Sequence, residues 1–472
     1  MAVPAAVCVD KKDVSSKPTA TSVAVGVFLE CFMMETIALS HAAHYVSQTV
    51  RIKGHLQAMR DLGQIIFINV RDRSSSIQVV VESADLLAQV RGLSLETPCY
   101  FEGTLQERPG KGEATAELVL TAIEVLAEVT EPCPIEIGKQ TKIDGLSPQT
   151  LLDYRPLTLR NEKVRAIFKI EAEIVKAFRQ YLDEQNFTEI HSSKLVSTGT
   201  EGGAQLFAVD YFGRQAYLAQ SPQFYKQIMV GVFERVFEVG PVYRAEEHDT
   251  TRHLNEYISL DFEMGFIQNE QEIIQMQVGL LRHIFAWVSE HCAKELALYG
   301  ITLPVIGTIP QIQLDEARRL LQEKYNWRPE ASLLDLDGEG ERLLCRHFEE
   351  VQGLSMVYVT NYPLSIRPFY AMPGEPLASG ELGSRSFDLL YGGLEITTGG
   401  QRIHEYKKLM QSMQKRGLNA ADFGDYLMAF KHGLPPHGGL AIGLERLAKQ
   451  MLKLPSVKQT ALFPRDINRL TP

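Results

Sequence analysis

Short runs of β-branched and aromatic residues, alternating with polar positions, follow one another between residues 48 and 129. Five of them stand out, and they read TVRIKGHL, QIIFINVRD, SIQVVVES, CYFEGTLQER and AELVLTAIEVL. The polar segments DLGQ, RDRSSS and RPGKGEA separate them, and segments of this composition favour turns. Five short strands in a stretch of this length predict a small barrel, for which the five-stranded OB-fold is the natural candidate.

The pattern changes after this stretch. Residues 131–160 contain four prolines and little periodicity, which predicts a linker or hinge. Apolar residues then recur at helical spacing over residues 164–185, which predicts a long amphipathic helix. Strand-like and helix-like patterns alternate from there to the C-terminus, and their hairpin-like connections favour an antiparallel sheet.

We therefore expect an α+β protein with four parts. Residues 1–46 form an N-terminal tail, of which residues 1–32 are either flexible or the product of a start codon assigned too early. Residues 47–130 form the barrel, residues 131–160 the linker, and residues 161–472 a second, larger domain.

The composition is that of an ordinary globular protein, with 45% hydrophobic and 22% charged residues. The six cysteines form no CxxC pair, which argues against a zinc ribbon, and their scatter suits a reducing compartment. No apolar run reaches the roughly 18–20 residues that span a bilayer. These features predict a cytoplasmic protein without a membrane segment.

The net charge of −10 counts mildly against a nucleic-acid binder, which often carries a basic balance. It does not exclude one, because phosphate contact needs only a local basic face. Five basic side chains do cluster in the first half of the predicted barrel: Arg51, Lys53, Arg60, Arg71 and Arg73. They indicate either a surface that binds bases or a solvated face of the barrel.

The densest opposed charge lies in VYRAEEHDTTRHLNEYISLDFEMGF, residues 242–266. Arg244, Arg252 and His253 stand there among carboxylates. A solvated hairpin with salt bridges would explain this pattern, and so would a site that binds a polyanion and a metal ion. The chain has no GxxxxGK[ST] or GxGxxG loop, so a nucleotide would have to be held by arginine.

Further segments combine glycine with charged residues, and they are TEGGAQLF (200–207), LAQSPQFYKQIM (218–229), GGLEITTGGQRIHEY (392–406) and HGGLAIGLERL (437–447). Taken singly, each has a structural explanation. Gly202 and Gly203 could form an ordinary turn, Lys226 could be an exposed lysine, and Arg446 could lie on the face of a helix.

In this order, these segments resemble the class II aminoacyl-tRNA synthetases, and specifically the aspartyl-tRNA synthetases of the archaeal and eukaryotic type. The resemblance covers residues 49–472. VYRAEEH with TRHLNE is similar to the second motif of class II, and GLAIGLERL with LFPRD to the third. QSPQFYKQ, SLDFEMGF, YPLSIRPFY and LEITTGGQR are similar to features of the subgroup. One departure is Ser193, which stands where the first motif, a part of the family's dimer interface, usually has proline.

The resemblance implies an OB-fold anticodon-binding domain joined to a class II catalytic domain, an antiparallel sheet flanked by helices. It implies a homodimer that activates L-aspartate with ATP and transfers it to the 3′ end of tRNA-Asp. The alternatives are an asparaginyl or lysyl enzyme, or an inactive paralogue that only binds. A class I synthetase is disfavoured because neither HIGH nor KMSKS occurs.

For ATP, the resemblance places Arg244 at the α-phosphate and Arg446 at the γ-phosphate and adenine. Preorganised guanidinium groups would offset the charge that develops as a carboxylate attacks the α-phosphorus. Glu395, Thr398 and Asp388 would bind Mg²⁺ through oxygen, and Arg244, Arg446 and Glu395 would be the catalytic residues. The complete ATP set, in which Arg252 and His253 face the terminal phosphates and Glu246 orients the nucleotide, is Arg244, Ala245, Glu246, Arg252, His253, Leu254, Glu395, Gly443, Leu444, Glu445 and Arg446.

For the amino acid, the resemblance implies that Lys226 and Arg402 pair with the side-chain carboxylate and that Asp261 holds them in place. An amide would leave these cations partly unpaired, and discrimination of this kind reaches about 10⁴–10⁵-fold. The related asparaginyl enzymes lack the lysine of QSPQFYK, so Lys226 carries much of this prediction. The complete set, in which Glu201 and Gln223 bind the ammonium group, is Glu201, Gln223, Lys226, Arg244, Asp261, Thr398 and Arg402.

For tRNA, the resemblance implies that Phe67 stacks on an anticodon base while Gln78 and Glu117 read base edges. As an isolated residue, Phe67 could equally be a core aromatic. Whether tRNA-Asn is also charged stays open. His55 and Gln57, in the segment KGHLQAMRDLG, stand where family members often have bulkier aromatics, which slightly favours relaxed specificity.

Overall fold

The computed structural model describes residues 35–108, 116–138, 140–199, 205–330 and 332–471. The chain divides into two compact units, residues 1–138 and residues 139–472. Within the described residues, no helix combines the length and the apolar character that crossing a membrane requires.

The first unit is the predicted barrel. Its strands order as β1-β2-β3-β4-β6-β5, and the additional pairing of β2 with β5 closes strands β2 to β6 on themselves. The five-stranded OB-fold is confirmed. The elements are β1 (Thr36–Ile37), a 3₁₀ helix (Leu39–Tyr45), β2 (Thr49–Asp61), β3 (Ile66–Arg71), β4 (Ser76–Val81), α1 (Ala84–Arg91), β5 (Pro98–Glu107) and β6 (Ala116–Val125).

Part of the expected N-terminal tail belongs to this barrel. Strand β1 pairs in parallel with β2 at Arg51 and Ile52. Leu39 and Ala42 in the 3₁₀ helix are buried with the barrel core. The prediction of an N-terminal tail was therefore wrong for residues 36–45, which belong to the barrel. Residues 1–34 lie outside the described residues.

The second unit contains an eight-stranded sheet in the order β13-β14-β17-β18-β19-β12-β11-β7. Its pairings are antiparallel, as predicted, except for β7 with β11 and β13 with β14. The strands of this unit are β7 (Thr188–Glu189), β8 (Leu195–Val196), β9 (Ala208–Tyr211), β10 (Arg214–Leu218), β11 (Arg235–Tyr243), β12 (Glu256–Gly265), β13 (Gln311–Gln313), β14 (Met356–Thr360), β15 (Pro373–Pro376), β16 (Leu382–Ser384), β17 (Ser386–Tyr391), β18 (Leu394–Arg402) and β19 (His437–Gly443).

Helices surround this sheet, and three short ones lie within the stretch expected to be a linker. The α-helices are α2 (Gln140–Asp144), α3 (Pro148–Asp153), α4 (Arg155–Thr158), α5 (Glu162–Glu184), α6 (Gln223–Phe233), α7 (Gln271–His291), α8 (Ala293–Ala297), α9 (Leu314–Tyr325), α10 (Gly338–Gln352), α11 (Tyr406–Lys415), α12 (Gly424–Lys431) and α13 (Leu444–Met451). Three 3₁₀ helices are Leu364–Ile366, Ala420–Phe423 and Val457–Gln459.

Helix α5 is the long amphipathic helix that the sequence predicts. Asn161 caps it, because its side chain accepts hydrogen bonds from the backbone N–H groups of Lys163 and Val164. Its apolar stripe, which includes Ile170 and Phe178, is buried with helix α7 against one face of the sheet. The main core of the unit therefore lies on that face, and on the opposite face α9 and α10 pack over β14 and β17 in a separate core.

Strand β12 shows how the two faces of the sheet differ. Leu260 and Phe262 point into the apolar core. Asp261 and Glu263 alternate with them, and they are also buried. A strand that is buried on both faces but polar on one of them indicates a polar site on that second face.

Glycines on β19 allow close approach of the strands at this site. A Cβ atom on Gly439 would lie 2.1 Å from the backbone oxygen of Phe262 and 2.3 Å from a carboxylate oxygen of Glu263. We predict that Gly439→Ala lowers the free energy of unfolding by about 2–3 kcal/mol, because the backbone must shift to admit the methyl group. Urea unfolding measures this change.

The matched control is Gly424→Ala, at an exposed position where an added Cβ atom meets no atom within 4 Å. It should be neutral or stabilising by about 0.5–1 kcal/mol, as expected for alanine in a helix. Equal effects of the two substitutions would contradict the close packing at Gly439.

Candidate active site

A cavity of about 360 Å³ opens on the polar face of strands β12, β18 and β19. The residues that line it are Ser221, Gln223, Lys226, Arg244, Glu246, Arg252, His253, Leu254, Tyr257, Ser259, Ile366, Arg367, Pro368, Tyr370, Ala371, Ser386, Glu395, Ile396, Thr398, Gly399, Arg402, Ala441, Gly443, Glu445, Arg446 and Val457. Most of the residues predicted to bind ATP or the amino acid are among them.

Five of the residues predicted to bind ATP, aspartate or Mg²⁺ are not on that lining. Ala245 and Leu444 lie beside residues that line the cavity, and Asp261 lies behind Lys226. Asp388 is paired elsewhere, as described below. Glu201 falls outside the described residues, so the structure does not bear on its predicted role.

The floor of the cavity is a buried network of two cations and two carboxylates. The Nζ atom of Lys226 lies 3.0 Å from Oδ1 of Asp261 and 3.4 Å from Oε2 of Glu263. The Nε atom of Arg402 donates to Oε1 of Glu263 at 3.0 Å. Lys226 is 1% exposed and Glu263 is fully buried. The alternative that Lys226 is simply an exposed lysine is therefore excluded.

Glu263 was missed in the sequence analysis, although it touches both cations. Burial opposes its ionisation, but Arg402 and Lys226 outweigh burial and hold the pKa of Glu263 below its ordinary value. The alternation of polar and apolar residues in β12 could have identified Glu263, because it follows Asp261 on the same face of the strand. Glu263 must be counted with the predicted residues of the floor.

One amide donor in the floor lies at the cavity. The Nε2 atom of Gln223 is buried and has no hydrogen-bond partner among the described residues, and Gln223 lines the cavity. Lysine and arginine also carry only donors. The floor is therefore suited to a small ligand that brings acceptor oxygens, such as a carboxylate.

The rim of the cavity carries further cations on the connection between β11 and β12. The side chain of Arg244 is 40% exposed and lies 3.9 Å from Glu246, and His253 lies 4.0 Å from Glu246 on its other oxygen. Asn255 donates to the backbone oxygens of Arg244 and Glu246 at 2.7 and 3.0 Å, which fixes the start of this connection. Burial lowers the pKa of His253, with Glu246 opposing the change.

Two more arginines face the cavity, Arg446 from helix α13 and Arg252 from the same connection between β11 and β12. Arg446, at the start of α13, lies 3.6 Å from Glu395 and donates to its backbone oxygen at 2.9 Å. Arg252 pairs with Glu341 on α10, a second residue that the sequence analysis missed. Burial raises the pKa of Glu341 to about 7 against the opposing effect of Arg252. Three arginines at the rim, Arg244, Arg252 and Arg446, therefore face one cavity, which suits a ligand with several negative charges.

Glu395 and Thr398 offer oxygen atoms to the same space. The hydroxyl of Thr398 donates to Oε1 of Glu395 at 3.0 Å, and both residues line the cavity. Asp388 is different, because Arg367 donates to both of its oxygens at 3.1 and 2.6 Å. This bidentate pair argues against Asp388 as a direct metal ligand, since neither oxygen is left uncommitted.

Glu445 forms a hydrogen bond with the backbone of strand β12. Its carboxylate accepts from the N–H group of Ile258 at 3.0 Å, which ties the start of α13 to strand β12. Burial raises its pKa to about 7, while this hydrogen bond opposes the rise. Glu445 thus helps to place its neighbour Arg446, in addition to lining the cavity.

The barrel carries the residues predicted to bind tRNA on its outer face. Phe67 is half-buried, and Ile66 and Ile68 beside it fill the core, so the reading as a core aromatic is not supported. Gln78 pairs with Glu117 across neighbouring strands, and its Nε2 atom donates to the carboxylate at 2.8 Å. These three residues therefore share one outer surface of the barrel.

Two family models match the chain. The model of tRNA synthetases class II (D, K and N) matches residues 147–467, and the model of the OB-fold nucleic acid binding domain matches residues 50–126. The chain belongs to the class II tRNA synthetases of this group. The residues matched by the class II model thus include those that line the cavity and those of the sheet beneath it.

The chain is similar to individual class II synthetases over almost the whole length of both sequences. The chain is 47% identical over 434 residues to the aspartate–tRNA(Asp/Asn) ligase of Thermus thermophilus, a match that spans 91% of this chain and 98% of that protein. It is 38% identical over 429 residues to the aspartate–tRNA(Asp) ligase of Pyrococcus horikoshii, over 90% of this chain and 96% of that protein.

A solved structure shows that this fold is not confined to aspartate. The asparaginyl-tRNA synthetase of Pyrococcus horikoshii, complexed with asparaginyl-adenylate, matches with a TM-score of 0.84 and 30% identity, over 93% of this chain and all of that one. Because class II enzymes for different amino acids share the fold, the fold alone does not determine which amino acid is bound.

A neutral histidine supports that floor, and it predicts a pH dependence. His437 stands opposite Arg402 on the neighbouring strand. Its Nδ1–H donates to the oxygen of Pro435 at 2.8 Å, so Nε2 accepts from Nε2 of Gln227 at 2.9 Å. Burial lowers the pKa of His437 to about 4, with Glu263 opposing the change.

A histidine with a lowered pKa stabilises the fold above its unfolded pKa and loses that contribution as the pH falls towards its folded pKa. We predict that the stability advantage of the wild type over His437→Gln shrinks by about 2 kcal/mol between pH 7 and pH 5. Urea unfolding at both pH values measures it. The control His432→Gln, at an exposed position, should show no such change, and an advantage of His437 that is constant with pH would contradict the neutral form.

Proposed function

We propose that the protein is an aspartate–tRNA ligase. The observation that carries the proposal is the buried floor of Lys226, Glu263 and Arg402 beneath a cationic rim. Such a cavity can receive a carboxylate side chain at its base and a polyphosphate at its mouth. The names of the relatives from Thermus thermophilus and Pyrococcus horikoshii support the same activity.

The amino acid would bind with its side-chain carboxylate directed towards the floor of the cavity. Lys226 and Arg402 would donate to the side-chain carboxylate, and Asp261 would keep Lys226 in position. Gln223 would contact the ammonium end, as Glu201 would from outside the described residues. Arg244 and Thr398, on the wall of the cavity, would complete the contacts.

An amide would be a poor substitute for this carboxylate. Its NH₂ group needs acceptors, but the carboxylate oxygens of Glu263 are already engaged by Lys226 and Arg402. A buried donor without an acceptor costs about 1–3 kcal/mol, in addition to the charge interaction that is lost. The floor therefore favours aspartate over asparagine.

The reaction needs no protein nucleophile. An oxygen of the α-carboxylate of aspartate attacks the α-phosphorus of ATP, the bond between this phosphorus and the α,β-bridging oxygen breaks, and pyrophosphate leaves. A ribose hydroxyl at the 3′ end of tRNA then attacks the carbonyl carbon and loses its proton, and AMP leaves. Arg244 and Arg446 would offset the negative charge that builds up at phosphorus, and they would do so as fixed cations.

The remaining predicted contacts to ATP follow the rim. Arg252 and His253 would meet the terminal phosphates and Glu246 would orient the nucleotide. Backbone and side chains of Ala245, Leu254, Gly443, Leu444 and Glu445 would shape the adenine and ribose side. Their supporting observation is their position on, or next to, the lining of one cavity.

We propose Glu395 and Thr398 as the protein ligands of Mg²⁺. Magnesium is usually bound by one or two carboxylates together with water and substrate phosphates, so two protein oxygens are sufficient. Bound Mg²⁺ would supply positive charge against the phosphates.

On the barrel, Phe67 would stack on an anticodon base while Gln78 and Glu117 would contact base edges. Charging of tRNA-Asn in addition to tRNA-Asp is supported by the name of the relative from Thermus thermophilus. We further propose a cytoplasmic homodimer, as the resemblance to the family and the scattered cysteines indicate.

The direct test is the charging of tRNA-Asp and tRNA-Asn transcripts with labelled aspartate. We predict charging of tRNA-Asp by the wild type, and no measurable charging by Arg446→Ala at an unchanged circular-dichroism spectrum, because the transition state loses a fixed cation. Wild-type protein that charges neither tRNA would refute the proposed function. Charging of tRNA-Asn shows relaxed specificity, and its absence shows discrimination.

A second prediction separates the floor from the rim. Lys226→Ala should raise the KM for aspartate by about 100-fold or more, because Arg402 is left as the only cation for the substrate carboxylate, while the KM for ATP changes less than about threefold. Pyrophosphate exchange measures both constants. The control is Lys407→Ala, at an exposed position. Equal losses for both substrates in Lys226→Ala would show that the lysine is only structural.

A further inference from the structure

The loop of residues 244–255, here named the phosphate loop, carries His253 and two of the three rim arginines. It connects β11 to β12, and it contains neither helix nor strand. Arg252 and His253 lie in its second half, and Arg244 begins it. Their positions therefore depend on what holds this irregular backbone.

A second segment, residues 456–469, lies against the phosphate loop and is here named the C-terminal clamp. The N–H group of Val457 donates to the backbone oxygen of Thr251 at 3.0 Å. The N–H group of Asn255 donates to the backbone oxygen of Arg465 at 2.8 Å. The clamp thus makes backbone hydrogen bonds on both sides of Arg252 and His253.

An apolar contact reinforces these hydrogen bonds. Leu254 of the phosphate loop is buried with Val457 and Ala461 of the clamp, and Tyr257 packs against them. Leu254 directly follows His253 in the chain. Its burial therefore limits how far the histidine can move.

At the far side of the phosphate loop, Asp249 is held by two side chains of the clamp. Lys458 donates to Oδ1 of Asp249, and Asn468 donates to Oδ2 at 2.7 Å. Lys458 also lies 2.7 Å from Asp466, which keeps it in place. These hydrogen bonds, first that of Lys458 and then that of Asn468, lower the pKa of Asp249. Asp249 does not line the cavity, so these contacts do not touch a ligand there.

The clamp is itself anchored. Arg155 is 2% exposed and donates to three backbone oxygens of the clamp, those of Gln459, Ala461 and Leu462, at 2.9, 2.6 and 2.8 Å. The hydroxyl of Thr460 donates to the backbone oxygen of Glu445 at 3.0 Å, next to Arg446. The clamp therefore connects the phosphate loop to the start of α13, the two elements that supply the three rim arginines.

We propose that Lys458, Asp249 and Asn468 are positioning residues for the nucleotide, and that the C-terminal clamp sets the geometry of the rim cations through them. This inference rests on the proposed function for the identity of the ligand. Fixed cations stabilise a transition state better than mobile ones, because no reorganisation is needed during the reaction. The contacts of Asp249 act on the loop without contributing a charge to the cavity lining.

The test uses the full chain in pyrophosphate exchange. We expect Lys458→Met and Asp249→Ala each to raise the KM for ATP by about 3–10-fold, with little effect on the KM for aspartate. Lys458→Arg should retain most of the wild-type value, since arginine can reach both carboxylates. The effect of the double variant should be smaller than the product of the two single effects, because both substitutions remove the contact between Lys458 and Asp249.

The matched control is Lys453→Met, which removes an exposed lysine from the same end of the chain and should leave both KM values unchanged. An unchanged KM for ATP in Lys458→Met and Asp249→Ala overturns the proposal. Equal effects on ATP and aspartate, with a lowered unfolding temperature, also overturn it, since they indicate a general loss of stability.

Calorimetric titration with ATP separates this proposal from the proposed function. If the wild type binds ATP but exchanges no pyrophosphate with aspartate, the proposed function fails, and the clamp is judged by the ATP affinity of the same variants. A 3–10-fold weaker affinity then supports the clamp and an equal affinity overturns it. A wild-type chain that binds no ATP overturns both.

Discussion

The catalytic unit depends on the balance of charge around Glu263. This carboxylate is fully buried and contacts the side chains of Lys226 and Arg402. Isolated buried charges are unfavourable by several kcal/mol each, and removing one partner of such a set leaves the others uncompensated. The sheet provides the geometry: β12 supplies Glu263, β18 supplies Arg402, and Gly439 on β19 admits both.

The floor and the rim of the cavity differ in how they are held. The floor consists of buried side chains on strands and on helix α6, and its atoms are fixed by packing and by ion pairs. The rim cations stand on an irregular loop and at the start of a helix, and Arg244 is 40% exposed. In the proposed function, buried side chains would select the amino acid, whereas nucleotide binding would depend on elements near the surface that other segments hold.

Local patterns were sufficient to predict the parts of the fold that depend on neighbouring residues. Alternation predicted the barrel strands, and helical spacing predicted α5 to within two residues of its start. Residues 36–45 escaped prediction, because β1 is formed by two residues whose pairing partners lie in β2. Contacts of this kind depend on tertiary packing, which a local pattern does not contain.

The same limit applied to the candidate site. Resemblance located the cavity residues, and the structure brings most of them together. It did not reveal Glu341, which comes from a distant helix to pair with Arg252, or the pairing of Asp388 with Arg367. Glu263 was within reach of sequence reasoning, because β12 alternates strictly between polar and apolar residues, SLDFEM.

The proposed preference for aspartate is tested most directly by pyrophosphate exchange of the wild type with aspartate and with asparagine, each over a full concentration range. The buried floor predicts a preference for aspartate of about 10⁴-fold in kcat/KM, the range reached by sites whose polar groups would be left unpaired by the wrong substrate. Comparable kcat/KM values for the two amino acids would contradict the assignment of Lys226, Arg402 and Glu263 as the determinants of specificity.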